Sequence, residues 1–343
     1  MTPSVWGGAA CAIIAAIGDS RRHGVRSALS PRHRETHRGS ALASERSYSE
    51  EELAAMAETL AASGRYRVQR RLTPRAKKDP EPGANLRLAL FVDVETTGLD
   101  PETDEIIELA MVPFRYGADG EIYEVGEAFQ SFNQPQKSIS AEITDLTGIT
   151  NEMVLGAVAD PARIETFARD AVLVIAHNAG FDRRFVERLA PSFALKAWAC
   201  SQSQIEWAHE GIEGTRLPYL VAAAGYFYEK HRAVNDCLAA IELLASPLPM
   251  SRVTGLAKLL ENARKTSWRI WAENSPFEFK DILKTRGYRW NGDGSASPRA
   301  WYVDVDDSAK ALELNFLRSE IYQREVDLLV KRIDPFNRFS DRI

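Results

Sequence analysis

The apolar residues of this chain gather in short, nearly continuous runs, the pattern of strands buried on both faces, and the runs give way to helical spacing farther along. In LALFVDVETTGL (88–99), Leu, Phe and Val lead into Asp93 and Glu95 and then into the turn pair Thr97-Gly98. IIELAMVPFRY (106–116) and EVGEAFQSFNQP (124–135) follow after turn residues such as Asp119-Gly120, so these three segments predict an antiparallel meander. Helical spacing begins in ISAEITDLTGIT (139–150), capped by Ser140, and continues into a helix near 165–170. VLVIA (172–176) reads as another buried strand, and after HNAGFD comes a helix with Phe181, Phe185 and Leu189 on one face. HRAVNDCLAAIELL (231–244) predicts a last helix buried through Val234, Leu238, Ile241 and Leu244. Strands followed by alternating helix and strand predict an α/β fold.

The flanking segments have other patterns. Residues 1–46 read as a disordered basic tail, because 21–46 is rich in Arg, His and Ser with few large apolar residues. Its AACAIIAAI (9–17) superficially matches a secretory signal core, yet no Lys or Arg precedes it and it is too short to span a bilayer; an upstream extension from a misassigned start suits the tail equally. Residues 47–72 form an appendage: Ser49 caps a helix that starts with Glu50, Glu51 and Glu52, carries Leu53, Met56 and Leu60 as an apolar stripe and ends at Gly64. The basic RYRVQRRL (65–72) follows, and the pair reads as a packing arm in preference to a nucleic-acid clamp. TPRAKKDPEPGAN makes 73–85 a linker, which leaves 86–248 as the main domain. Residues 249–343 predict a small α+β accessory domain with a helix in 256–265, then strand, helix, turn, strand, strand, and a final helix over 309–332. Its Trp268, Trp271, Phe277, Tyr288, Trp290, Trp301 and Tyr302 alternate with Lys280, Lys284, Arg286, Arg289 and Arg299, which suits a small core first and a single-strand binding surface second.

A chain of 343 residues with 45% hydrophobic content can build more than one core. Its formal net charge of -5 excludes a protein that coats nucleic acid through bulk positive charge, while leaving room for a local basic groove beside an acidic site. Cys11, Cys200 and Cys237 have neither C-x-x-C spacing nor an even count, so no disulfide framework or zinc site is expected and a reducing cytoplasm is the natural compartment.

The chemistry-bearing residues stand at the ends of these elements. Asp93 and Glu95 are two apart on a strand, so they project from the same face and repel one another unless a cation lies between them. Taken alone, they also suit an ordinary strand end with solvated acids. Asp182 lies in the first turn of a helix after a buried strand, which suits a site carboxylate or a simple N-terminal helix charge. His231 stands at the entry to the last helix and Asp236 on its second turn. Asp104, Glu105 and Glu108 read as extra acids on a solvated face. Sites in α/β sheets are assembled at such element ends.

The ordered set DVETTGLD, HNAGFDRRF and HRAVNDC resembles the 3′-to-5′ exonucleases with four acidic residues and a histidine, the group that includes the proofreading epsilon subunit of DNA polymerase III and ribonuclease T. The resemblance runs from about 86 to 244 and implies a ribonuclease H-like mixed five-stranded sheet flanked by helices. It makes Asp93, Glu95, Asp182 and Asp236 metal ligands and His231 the general base, with the H-x-x-x-x-D spacing favouring the histidine branch. It places Thr96, Thr97, Gly98, Leu99, Asn178 and Phe181 near the substrate; Leu99 suits either a base contact or core, and Phe181 with Phe185 also suits helix-to-sheet packing. Hard oxygen ligands suit two divalent cations, Mg²⁺ or Mn²⁺, which in such sites lie about 3.5–4 Å apart. An imidazole titrates in the neutral range and is able to take a proton from the attacking water. The expected activity is hydrolysis of single-stranded DNA or frayed 3′ ends to nucleoside 5′-monophosphates, self-standing in repair or processing, with replication or repair proteins as partners and no membrane. An exoribonuclease is the alternative within the family, since nothing in the sequence separates ribose from deoxyribose. A noncatalytic subunit that binds nucleic acid or a polymerase is disfavoured, because buried acids without a cation cost folding energy.

Overall fold

The structure is a computed structural model that describes residues 47–292 and 297–343, so the predicted disordered tail lies outside the described residues. Helix α1 (Glu50–Ala62) begins with a reciprocal cap, in which the Glu52 amide donates to Ser49 Oγ and the Ser49 amide to Glu52 Oε2. It buries none of its residues, so Leu53, Met56 and Leu60 stay exposed. The basic segment contributes only the short strand β1 (Arg70–Arg71).

Four strands come next: β2 (Arg87–Thr96), β3 (Ile106–Tyr116), β4 (Ile122–Val125) and β5 (Phe129–Phe132). The chain then alternates through α2 (Ala141–Thr147), α3 (Asn151–Val154), α4 (Pro161–Ala168), β6 (Leu173–Ala176), α5 (Ala179–Leu189), β7 (Ala197–Cys200) and α6 (Leu217–Ala223). Strand β8 (Tyr226–Phe227) pairs in parallel with β1, and α7 (Ala233–Ala245) and α8 (Gly255–Ala263) complete this part. The main sheet is mixed, in the order β4-β3-β2-β6-β7, with β5 beside β3 as its sixth strand. The central β2 is antiparallel to β3 and parallel to β6.

Two predicted elements have different boundaries. The third strand is split: β4 pairs with residues 114–116 and β5 with residues 108–111, and between them the Gly126 amide donates to the Pro113 carbonyl. Pro113 has no N–H, so the ladder cannot run through it and the chain steps to a new register. The helix expected near 165–170 begins instead at Pro161, where the Asp160 carboxylate accepts the Ala162 amide and proline supplies the first-turn geometry.

Side chains of β2 alternate between two cores. Ala89 and Phe91 join Ile175 and the buried stripe of α7, whereas Leu90, Val92 and Val94 join Val174, Val186 and Phe193. Ala233, Cys237 and Ala240 are the small residues of the α7 stripe, and they let that helix approach closely enough for the Cys237 thiol to lie 3.7 Å from the Phe91 carbonyl.

The C-terminal part adds β9 (Ser267–Ala272), α9 (Lys280–Thr285), β10 (Arg289–Trp290), β11 (Trp301–Asp306), α10 (Lys310–Phe316) and β12 (Val330–Ile333). They build an antiparallel sheet in the order β10-β11-β9-β12 around Ile270, Ala272, Leu283, Tyr288, Leu317 and Ile321. The helix expected over 309–332 is corrected here. α10 runs on as a π-helical turn, Leu317–Tyr322, which stops at Gln323 in a left-handed conformation (φ 51). Val330–Ile333 then closes the free edge of β9, a non-local pairing that helical spacing does not reveal. Trp271 and Tyr288 are buried and Trp301 packs against the core, as expected of core aromatics, while Phe277 and Trp290 are exposed.

Arg183 of α5 ties the last residues to the main sheet. Fully buried, it donates from Nη1 to the Arg338 carbonyl and from Nη2 to the Phe336 carbonyl, each at 2.6 Å, and its guanidinium lies 5.3 Å from the centre of the Trp198 ring. Arg183→Ala strips both carbonyls of their donors and is expected to lower unfolding stability by about 3–5 kcal/mol, read from urea unfolding. A loss below about 1 kcal/mol would show that the carbonyls find other partners.

Candidate active site

The site forms where β2 runs past the end of its parallel neighbour. β6 pairs with residues 89–91 and stops at Ala176, which leaves the Val94 amide without a strand to face. Asp182 in the first turn of α5 accepts that amide at 3.2 Å, with 3% of the residue exposed. The chain enters α5 through Asn178, whose left-handed backbone (φ 84) turns it sharply off β6; asparagine tolerates that conformation better than most side chains.

Alternation sends Asp93 and Glu95 to the face of Phe91, which α7 covers. Asp236 of α7 meets them there, so that one carboxylate oxygen from each of Asp93, Glu95 and Asp236 lies within 4.8 Å of the others. Asp236 also organises the turn before its own helix: Oδ2 accepts the amides of His231 at 2.9 Å and Arg232 at 3.2 Å, and Oδ1 accepts the Tyr228 hydroxyl at 2.6 Å. His231 is thereby held in a left-handed conformation (φ 62).

Crowding and burial resist ionisation here. Burial, followed by the neighbouring Asp236 and Glu108, pushes Glu95 up to about 8, and burial pushes Asp182 to about 8 in spite of its amide hydrogen bonds. Asp93 lies well above the usual carboxylate range, through burial first and the charge of Asp182 next. Burial raises Asp236 against the opposing Tyr228 hydrogen bond. Acids in this state ionise together once a cation is shared among them, and an all-oxygen donor set fits a hard divalent ion. Asp93, Glu95 and Asp236 would hold it, with Asp182 alongside.

The other candidate residues divide by location. Thr96 Oγ1 donates to the Gly98 carbonyl at 2.5 Å, and Thr97 Oγ1 accepts the Glu105 amide at 3.0 Å, so both hydroxyls brace the turn after β2. A Cβ on Gly98 would lie 2.4 Å from the Asp104 carboxylate, so a larger residue there requires the Asp104 side chain to shift. Leu99 is 58% exposed at the tip of this turn, not core. Phe181 packs against Phe185 with ring centres 5.0 Å apart and against the core beneath the sheet. His177, in the same segment as Asp182, bridges Ser201 Oγ at 2.9 Å and the Thr215 carbonyl at 2.8 Å; burial lowers it to about 4, so it is a neutral brace between loops.

Glu108 overturns the expectation of a solvated acid: it is 0% exposed and faces the site from β3. A lone acid inside the apolar run IIELAMV was its signal, because every neighbour in that run predicts burial. Tyr228 carried no such signal, since it lies outside every spaced motif and reaches Asp236 only through the turn.

Residues 90–244 match the family model RNase_T, described as exonuclease. Curated relatives include the PolC-type DNA polymerase III of Thermotoga maritima, 26% identical over 57% of this chain and 14% of that protein. The corresponding protein of Caldanaerobacter subterraneus is 33% identical over 49% of this chain and 12% of that protein. The chain thus spans about one seventh or less of these relatives. Among solved structures, exonuclease X with 5′-overhanging duplex DNA aligns over 49% of this chain and 99% of that chain (22% identity, TM-score 0.35). The zinc-bound complex of E. coli exonuclease I with single-stranded DNA aligns over 68% of this chain and 71% of that chain (16% identity, TM-score 0.45).

The raised acids bind protons more tightly in the folded than in the unfolded chain, so their contribution to stability is complete below about pH 4 and is lost as pH rises through about 8. His177 acts in the opposite sense between about 4 and 6.5, so the acids are read as the difference between wild type and Glu95→Gln. In EDTA the melting temperature of wild type is expected to fall relative to Glu95→Gln as pH rises from about 5 to 8.5, and Mg²⁺ or Mn²⁺ to restore wild type most at the upper end. Parallel curves would sink this electrostatic account.

Proposed function

We propose that the chain, whose residues 90–244 match the RNase_T exonuclease family model, is a 3′-to-5′ exonuclease that hydrolyses single-stranded DNA or frayed 3′ ends to nucleoside 5′-monophosphates with two divalent cations, Mg²⁺ or Mn²⁺. The observation that carries this reading is the convergence of Asp93, Glu95 and Asp236 at the end of β2, with Asp182 held on the Val94 amide beside them. When bound, divalent cations neutralise charge developing on the phosphate and make a nucleophile available at neutral pH. The chain's own residues do the rest. The four carboxylates supply the negative charge that would hold the cations. His231, fixed on its turn by Asp236, takes the proton as water attacks phosphorus and the bond to the leaving 3′ oxygen breaks. Leu99 offers an apolar contact to the terminal base from a turn braced by Thr96 and Thr97, and Asn178 stands exposed at the start of α5.

The PolC-type relatives favour a setting in DNA replication or repair, with proteins of those processes as partners. Cys200 and Cys237 are buried free thiols, which suits the cytoplasm, and no helix among the described residues is long and apolar enough to cross a membrane.

The test uses 5′-labelled single-stranded DNA and RNA of one sequence, with open or blocked 3′ ends, in Mg²⁺, Mn²⁺ or EDTA. Stepwise shortening from the open end is expected, faster on DNA and abolished by EDTA. Asp93→Ala should reduce the rate by on the order of 10³-fold or more, and His231→Ala by about 10²–10⁴-fold. No shortening of either polymer by a folded, DNA-binding wild type would leave a binding subunit instead.

A further inference from the structure

Glu108 stands near the start of β3, fully buried, on the face it shares with its cross-strand partner Glu95. It is not one of the three acids whose oxygens cluster for a cation. Its oxygens are engaged elsewhere. Oε1 accepts a hydrogen bond from Gln130 Nε2 on β5 and pairs with Arg232 Nη2 at 3.6 Å, and Oε2 accepts the Ala233 amide at 3.4 Å. Arg232 and Ala233 are the step by which the His231 turn enters α7, and Arg232 itself supplies no side-chain cap to that helix. The Glu108 carboxylate therefore caps α7 from a different part of the chain. The same guanidinium lies 5.9 Å from the centre of the Phe132 ring on β5, which confines it from a second side.

A buried carboxylate is costly to fold, and an apolar residue of similar volume at this inward-facing position would cost less. The cost needs an offsetting role. We propose that Glu108 is a positioning residue of this site, which clamps the Arg232–Ala233 step so that His231 and Asp236 face Asp93 and Glu95 and so that the Arg232 guanidinium is kept off Glu95. Arg232 already lies within electrostatic reach of Glu95. Once the charge at 108 is removed, Glu95 becomes the carboxylate available to it, and a carboxylate paired with arginine is a poorer ligand for a cation. The inference rests on the reading of the site as a cation-binding hydrolytic centre.

The experiment compares the full chain with Glu108→Gln, Arg232→Gln and the double variant. Folding is followed by circular dichroism and melting, Mn²⁺ binding without nucleic acid by electron paramagnetic resonance, and kcat and KM on single-stranded DNA. Glu108→Gln should weaken Mn²⁺ binding by about 10-fold and lower kcat by about 10–100-fold with KM within about 3-fold, the scale seen when an outer partner of a metal site is removed. The double variant should recover Mn²⁺ binding to within about 3-fold of wild type, because no guanidinium remains to compete, while kcat stays low because the turn is unclamped. A merely structural glutamate would not be rescued by removing Arg232. Should Glu108→Gln fail to fold, Arg232→Gln carries the test: it should keep Mn²⁺ affinity and lose about 10-fold in kcat. Wild-type Mn²⁺ affinity and kcat in folded Glu108→Gln, no rescue in the double variant, or unchanged kcat in Arg232→Gln would overturn the proposal. An inactive wild type would refute the exonuclease reading alone, since the Mn²⁺ measurements decide the role of Glu108 without turnover.

Discussion

The arrangement depends on a length mismatch in the main sheet: the central strand outruns its parallel neighbour. Where β6 stops, β2 continues for several residues with a backbone amide that must find a partner. Asp182 supplies it, and in doing so brings a carboxylate from the helix on one face of the sheet to the strand that carries Asp93 and Glu95 toward the other. This hydrogen bond thus ties the helix on one face to the strand whose acids lie on the other. Had β6 extended by two more residues, the strand ladder would have taken that amide and excluded α5 from the site.

That placement has an electrostatic consequence. Five carboxylates, those of Asp93, Glu95, Glu108, Asp182 and Asp236, surround the end of β2, and burial together with mutual repulsion drives several of them toward the protonated form. A divalent ion shared among these acids would relieve what destabilises their ionised forms, which would link fold stability to cation affinity. The backbone donors of the His231 turn and the Tyr228 hydroxyl relieve part of the strain at Asp236. Among the described residues, Asp93 has no comparable set of donors.

The second sheet is joined to this centre through α5. Asp182 and Arg183 are adjacent on that helix; the first reaches the central strand, and the second, fully buried, holds the carbonyls of Phe336 and Arg338 beyond the last strand. The C-terminal segment is therefore anchored on the residue next to Asp182. The aromatic residues there serve mainly as a core, while Phe277, Trp290 and Phe336 are exposed.

The sequence by itself determined the local identities. Continuous apolar runs marked β2, β3 and β6, four-residue spacing marked α5, and period-two alternation placed Asp93 and Glu95 on one face before any neighbour was known. The acids and His231 were legible as a candidate set because they stood at element ends in a fixed order. Tertiary structure decided the features that depend on pairing between distant segments. The break between β4 and β5 follows from how Pro113 meets its neighbour strand, and the strand at Val330–Ile333 exists because β9 offered an open edge. Asp104 and Glu105 precede β3, whereas the register of β3 turns Glu108 inward opposite Glu95, and Tyr228 meets Asp236 only because the turn folds back on α7. Periodicity sets which face a side chain takes; only the packed chain sets what lies across from it.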